Sequence, residues 1–276
     1  MTQEFAPGIH HGIDDDAYHG GPGISKSGLW TIYTRSPAHY RFAPSKDTGA
    51  FAIGKAAHIA ILEPETFEAR VMKGPADRRG NNWKDAQAEA ANTGRLLLTS
   101  GDYDTGLLMR DAVHADARIN AIITGSAAQI EHSGFWIDEE TGVLCKCRPD
   151  LYRPDLGIML DLKSTTDAHP NAFARSVISY GYHTQEAWYA GGYRALQQNV
   201  EGFVFLAVEK TDPFVCALYE LPPSIVAEGQ AIARKALARY AECAAADQWP
   251  GYSGEITELT FKRWSYTETQ PEMEEM

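Results

Sequence analysis

The sequence predicts an α/β or α+β chain built on a central mixed sheet, from three observations. Short runs with strand-like alternation or apolar centres cluster between residues 127 and 165. Apolar residues at helical spacing dominate on both sides of that cluster. The resulting order is helices, three strands, helices, two strands and a last helix, as expected of a sheet covered by helices.

In chain order, "GISKSGLWTIYTRSPAHYRF" reads as a serine-capped helix followed by a proline-terminated turn. "TGAFAIGKAAHIAILEP" reads as a helix stopped by Pro64, with Ala50, Gly54 and His58 on one face at i, i+4 and i+8. The polar, locally basic "PADRRGNNWKD", residues 75–85, reads as a mobile loop. A capping pattern from Thr99 to Asp102 opens a helix that runs on through "DAVHADARINAII". Then come "AAQIEHSGFWID", "GVLCKCRPDLY" and "GIMLDLKST" as three strands, the first two joined by the turn residues of "EETG". Pro170 suits the first turn of a helix that breaks near Gly181. "GFVFLAVEK" and "FVCALYELP" are two further strands, joined through "TDP", and "PSIVAEGQAIARKALARYAECAA" is a long amphipathic helix.

A length of 276 residues with 44% hydrophobic content supports one large domain with a substantial core. No apolar run approaches the roughly 18 residues of a membrane span. "MTQEFAPGIHHGIDDD" lacks the basic-then-apolar pattern of a secretory signal, so a cytoplasmic location is expected. Of the four cysteines only Cys145 and Cys147 are close. C-x-C without companions gives no zinc pattern and no support for an iron–sulfur cluster, and small buried hydrophobes are the plainer reading. The net charge of −12 weighs against a general nucleic-acid binder. Part of it lies in the acidic tail, residues 266–276, which reads as disordered.

The chemistry concentrates in "CRPDLYRPDLGIMLDLKST", residues 147–165. Asp161 and Lys163 share one strand face while Leu162 points the other way. If the two strands pair across "YRPDLG", Asp150 comes close to Asp161. Two adjacent carboxylates repel, and a divalent cation between them removes that penalty. Hard oxygen ligands suit Mg²⁺ or Mn²⁺. Taken alone, D-x-K could also be a surface ion pair, worth ~0.2–1 kcal/mol. The apolar setting of "GIMLDLKS" favours the metal reading, because charges in a buried strand need a reason.

The pattern P-D-x10-D-L-K resembles the signature of the PD-(D/E)XK nuclease superfamily. "PGISKSGL", "SPAHY", "GKAAHIAILEP", "EHSGFW", "CKCRPDLY", "LDLKSTTDAHPNAF" and "YHTQEAWYAGGY" occur in the order seen in exonuclease VIII-like (RecE-type) proteins. These are phage and prophage recombination exonucleases, related more distantly to phage λ exonuclease. The resemblance covers about residues 8–265 and implies a restriction-endonuclease-like core with its active site at the sheet's strand ends. It also implies a single nuclease domain over residues 1–265, with a helical part at about 20–120 and a catalytic core at about 125–250.

By that resemblance Asp150 and Asp161 are metal carboxylates, the Leu162 carbonyl is a further ligand and Lys163 is the catalytic lysine. His58 resembles the upstream metal-site histidine, and a hydrogen-bonded core histidine is its alternative. Glu131 matches an acidic residue on the preceding strand and could instead be an exposed residue paired with a lysine. Gln185 and Tyr189, i and i+4 on a helix, resemble the Q-x3-Y motif and would touch DNA or brace the sheet. Ser25 and Ser27 are helix caps or, as the λ enzyme suggests, part of a 5′-phosphate site. Arg78, Arg79 and Lys84 would contact DNA backbone or simply be solvated. The implied activity is Mg²⁺-dependent 5′→3′ exonuclease action on double-stranded DNA ends, with Mn²⁺ as a substitute. The implied partners are those ends, a single-strand annealing protein and other copies of the chain in a ring trimer or tetramer, with no membrane partner. Exonuclease VIII proper carries a long N-terminal extension that this sequence lacks, so the bare core is expected to suffice.

Overall fold

The structure is a computed structural model that describes residues 5–44 and 49–259. The acidic stretch 266–276 and the side chain of Ala50 lie outside the described residues.

The elements begin with β1 (Gly8–His10), α1 (Asp15–Gly20), α2 (Lys26–Thr34), α3 (Pro37–Phe42) and α4 (Gly49–Leu62). They continue with α5 (Phe67–Arg70), β2 (Val71–Lys73), α6 (Gly80–Thr93), β3 (Leu96–Leu98), α7 (Ser100–Ala115) and α8 (Ala117–Ile123). Four strands follow, β4 (Gln129–Ile130), β5 (Ser133–Ile137), β6 (Leu144–Cys147) and β7 (Leu151–Arg153), then β8 (Ile158–Thr165). The chain closes through α9 (Pro170–Tyr180), α10 (Tyr182–Ala195), β9 (Gly202–Glu209), β10 (Cys216–Tyr219) and α11 (Pro223–Ala246).

The central sheet has the order β10-β9-β8-β7-β4 and is mixed, parallel only between β8 and β9. Helices cover both faces, so β8 and β9 read as apolar runs rather than alternating ones. Leu160 and Leu162 pack with Ala57 and Ile61 of α4 and Met109 of α7. Met159, Phe203 and Phe205 pack on the other face with Phe173 of α9, Trp188 of α10 and Ala233 of α11. Cys145 and Cys147 are buried thiols, as the sequence suggests, and Cys243 is buried too. Among the described residues no helix is long and apolar enough to cross a membrane.

The runs 127–138 and 142–152, each read as one strand, are each broken in two. The first breaks at Glu131, whose φ of +51° turns the chain back. The second breaks at Arg148–Asp150, where Pro149 cannot donate to a ladder. The breaks lie side by side, since the Glu131 N–H donates to the Asp150 carbonyl at 3.1 Å. The hairpin therefore bends as a unit. Its outer half, β5–β6, joins β1 in a separate antiparallel sheet, and its inner half, β4 and β7, joins β8.

Other expectations change locally. Pro37 starts α3 under a Ser36 cap instead of ending a turn. Asp116 caps α8 and so divides the long helix after Thr99. The loop at 75–85 is cut short by α6, which buries Trp83, Ala86 and Ala90. The parallel pair β2–β3 and the amino-terminal β1 and α1 carry no sequence signal strong enough to have been singled out.

Candidate active site

The register between β7 and β8 pairs Leu151 with Leu160, which sets Asp150 directly opposite Asp161. At that point β7 has ended and β8 continues alone towards Thr165. Asp150 takes over the ladder: its Oδ2 accepts the Leu162 N–H at 2.7 Å. In an extended strand a residue's N–H and C=O point to the same side, so the Leu162 carbonyl faces this edge too. Asp150 Oδ1 lies 3.5 Å from His58 Nδ1, presented by α4.

Asp161 is 1% exposed. Its Oδ1 accepts from Gln185 Nε2, and its Oδ2 lies 2.5 Å from Lys163 Nζ. That second contact is close but lacks hydrogen-bond alignment, and Asp161 Oδ2 makes no hydrogen bond. Lys163 Nζ donates to Gln185 Oε1 at 3.1 Å and stands 4.5 Å from the centre of the Tyr182 ring. Gln185 thus bridges carboxylate and ammonium from α10, while the α4 face is kept low by Gly54, where a Cβ would stand 3.4 Å from Ser164 Oγ.

Burial pushes the Asp161 carboxyl up to about 6, aided by the Asp150 charge and opposed by Lys163. Burial works the same way on Asp150, but His58 and then Lys163 outweigh it and hold that carboxyl below its usual range. Burial disfavours charge on His58 and Lys163, yet the carboxylates overcome it and raise both. Lys163 is therefore held as an ammonium. Burial, then Asp15 and Asp150, raise Glu131. Tyr189 is raised by burial first, with Asp161 and Asp150 among the charges acting on it.

The donor set fits a hard divalent cation in kind. It has two adjacent carboxylates, a carbonyl on the same edge, and in Asp161 Oδ2 a buried anionic oxygen without a hydrogen bond. Among the described residues, however, no three His, Cys, Asp or Glu side chains converge as a ready-made metal cage. His58 turns its Nδ1 to Asp150 Oδ1 at 3.5 Å, an ion pair when the imidazole is protonated. The fit therefore rests on the two aspartates and the Leu162 carbonyl, with His58 supporting Asp150.

The structure brings His58, Asp150, Asp161, Leu162, Lys163 and Gln185 together, with Tyr189 behind them and Glu131 beside Asp150. Glu131 sits between β4 and β5, which corrects its expected placement on a strand, and among the described residues no lysine pairs with it. It lines a cavity of about 610 Å³ with Asp15, Lys55, Glu63, Arg70 and Arg95. Ser25 caps α2, its Oγ accepting the Gly28 N–H and lying 2.9 Å from Ser27 Oγ. Arg78 pairs with Asp102 at 3.3 Å and Arg79 precedes α6, and Lys84 lies exposed on that helix. Among the described residues none of these three makes an ion pair or hydrogen bond to the carboxylate site.

Sequence reasoning passed over Lys26, Tyr182, Asp15, Lys55 and Arg148. Two of them had a usable signal: Tyr182 is three residues before Gln185, and Lys55 three before His58, so each pair shares a helix face.

A family model described as "PDDEXK-like domain of unknown function (DUF3799)" matches residues 37–260. None of the curated proteins matches the chain in sequence. A crystal structure from Eubacterium rectale, provisionally named an exonuclease, superposes with a TM-score of 0.61 at 12% identity over 95% of this chain and 100% of that one. A phage related exonuclease from Haemophilus somnus 129PT reaches a TM-score of 0.36 at 13% identity, over 82% of this chain and 96% of that one. The first of these likenesses establishes the fold, a mixed sheet flanked by helices, and the second is too distant to add weight. With most of its length matched, the chain belongs to the PDDEXK-like domain family.

Proposed function

We propose that the chain is a metal-dependent deoxyribonuclease, and within that class a 5′→3′ exonuclease of the exonuclease VIII (RecE) type. It would act on double-stranded DNA ends and leave 3′ single strands for an annealing protein. The observation that carries the reading is the convergence of Asp150, Asp161 and Lys163 on one strand edge in a chain of this family. PD-(D/E)XK nucleases generally use divalent metals such as Mg²⁺. Asp150, Asp161, the Leu162 carbonyl and His58 would hold the ion, with Mn²⁺ as a substitute. Bound there, it would polarise the scissile phosphate and make a water acidic enough to attack. Lys163, kept protonated by the two aspartates, offers N–H groups to a phosphate oxygen or to the attacking water as charge develops. Gln185 fixes the Lys163 ammonium through its Oε1 and the Asp161 carboxylate through its Nε2. His58 orients Asp150 from the α4 side. Tyr189 and Glu131 complete the surroundings, and Ser25, Ser27, Arg78 and Arg79 are the proposed DNA contacts outside them.

A ring of three or four copies with a basic lumen would reconcile DNA binding with the net charge of −12. A gel-filtration mass equal to the monomer would rule out that ring. Cytoplasmic action on phage or host DNA ends fits the same reading.

The test uses linear duplex DNA labelled at the 5′ or the 3′ end, with Mg²⁺, beside a closed circle. Early release of the 5′ label as mononucleotide with an intact circle is expected. Cutting of the circle would make the chain an endonuclease. Binding of ends without cutting, with Mn²⁺ also supplied, would leave a DNA-end-binding protein.

A further inference from the structure

Lys163 opens onto a cluster of aromatic rings where α2 meets the α9–α10 joint, with Tyr182 stacked inward on Phe205 at 5.8 Å. The Tyr182 ring beneath its ammonium is stacked on Tyr180, with centroids 5.7 Å apart and planes 27° apart. Tyr180 is 60% exposed. On the facing wall, Trp30 and Tyr33 of α2 lie 5.9 Å apart at 35°, and Tyr33 is 46% exposed. Lys26 joins the walls. Its Nζ donates to the Tyr180 carbonyl at 2.7 Å and stands 5.5 Å from the Trp30 ring and 5.9 Å from the Tyr182 ring.

The platform is held in place by backbone. Gly181, between α9 and α10, has φ +66°, and a Cβ there would come within 2.5 Å of the Trp30 ring. Only glycine lets that indole lie against the turn. Two exposed rings, Tyr33 and Tyr180, each paired with a half-buried ring beside two lysines, have a general chemical counterpart. Every nucleobase has a π-face that stacks on aromatic side chains, and its strand carries phosphates that lysines neutralise.

We infer that Trp30, Tyr33, Tyr180 and Tyr182 form a stacking platform for unpaired bases of a single DNA strand, with Lys26 and Lys163 holding its phosphates. The inference rests on the nuclease reading for which strand arrives there. The enzyme would then grip its strand by bases already separated from their complement, without regard to their identity. Burial, and then the charge of Lys163, lower Lys26 to about 7 against the opposing pull of Asp161, so its grip on phosphate weakens as pH rises through neutrality.

The test measures binding and cutting separately. Fluorescein-labelled oligodeoxythymidylate, and the same strand with abasic sites, are titrated with the full chain in Ca²⁺ buffer by anisotropy. Tyr180→Ala is expected to weaken binding of the normal strand about tenfold or more, and Tyr180→Phe to restore it. The abasic strand is expected to bind weakly to the unaltered chain and to lose little more with Tyr180→Ala. Tyr180 is exposed, so folding is not at stake, and a thermal melt of each variant checks this. Equal Kd values for normal and abasic strands, unchanged by Tyr180→Ala, would overturn the platform, as would no measurable strand binding at all. Mg²⁺ assays on the unaltered chain separate the two readings. Stacking without cutting would sink the nuclease reading and keep the platform, and cutting with unaffected Kd values would do the reverse.

Discussion

Two strands of this molecule carry charge into the core in the same written form, and they use it differently. In β6, "CKCR" places Lys146 between buried cysteines, itself only 4% exposed. Its Nζ donates to the carbonyls of Tyr18 at 2.7 Å and Gly21 at 2.8 Å and stands 5.0 Å from the Tyr18 ring. Arg148 is as fully engaged, with Ser133 Oγ at 2.8 Å, Asp15 Oδ1 at 2.9 Å and the Ile13 carbonyl at 2.9 Å. In β8, "DLK" leaves Asp161 Oδ2 buried without a hydrogen bond, beside an ammonium it nearly touches. A fully bonded buried cation is a fastener, here for α1 and the residues that flank it. An anion with spare bonding capacity at a strand end can meet a ligand.

The largest effect expected from this contrast is on the β8 side. Lys163→Gln should lower the cleavage rate about a thousandfold, ~4 kcal/mol of transition-state stabilisation. Glutamine can still bond Asp161, so the melting temperature should change little. A variant that cuts at the normal rate would end the catalytic assignment of Lys163. Next in size is the β6 side. Lys146→Met keeps the volume but takes the donor from one buried and one part-buried carbonyl, at ~2 kcal/mol of folding stability. Urea unfolding should show a lower midpoint while the folded fraction still cuts. If instead stability held and cutting vanished, the division between fastener and chemistry would be wrong.

The sequence showed only one side of this contrast. D-x-K stood out because its partners are near in the chain: Asp150 immediately precedes the adjoining strand, and Gln185 is on the second helix after it. C-K-C-R has the same apolar framing and went unremarked. The carbonyl that accepts from Lys146 is 128 residues away, in a helix of six residues that has no periodicity to betray it. The long amphipathic and apolar elements, α4, α7, α9, α11, β8 and β9, were legible because burial imposes a period or a continuous apolar run. The bend at Glu131 was not, because a left-handed residue within an apparent strand is fixed by tertiary contact with Asp150, and glutamate gives no local sign of it. The same limit hid Lys26. Its role depends on Tyr180 and Tyr182, brought alongside only when α2 packs against the α9–α10 joint.

The smallest effect tests whether a buried oxygen lacking a partner is by itself a mark of function. Glu186 Oε2 is such an oxygen, on the helix that supplies Gln185. Burial, and then the charge of Glu220, push its carboxyl up to about 7, against the pull of Arg194. The folded state thus favours the protonated acid. Its contribution to stability is full below the ordinary value of 4.5 and is lost as pH rises through about 7. Glutamine has no charge to bury, so Glu186→Gln should match the parent near pH 4.5 and exceed it above pH 7. Glu186 is half-buried, which trims the gain to ~1 kcal/mol. Melting curves across that range measure the gap, and a gap independent of pH would remove the electrostatic account. Cleavage should be unchanged, because no atom of Glu186 bonds to Asp150, Asp161 or Lys163. If Glu186→Gln stopped cleavage, the chemical site would have to extend along α10, and incomplete bonding would be the better guide to its limits than nearness to the two aspartates.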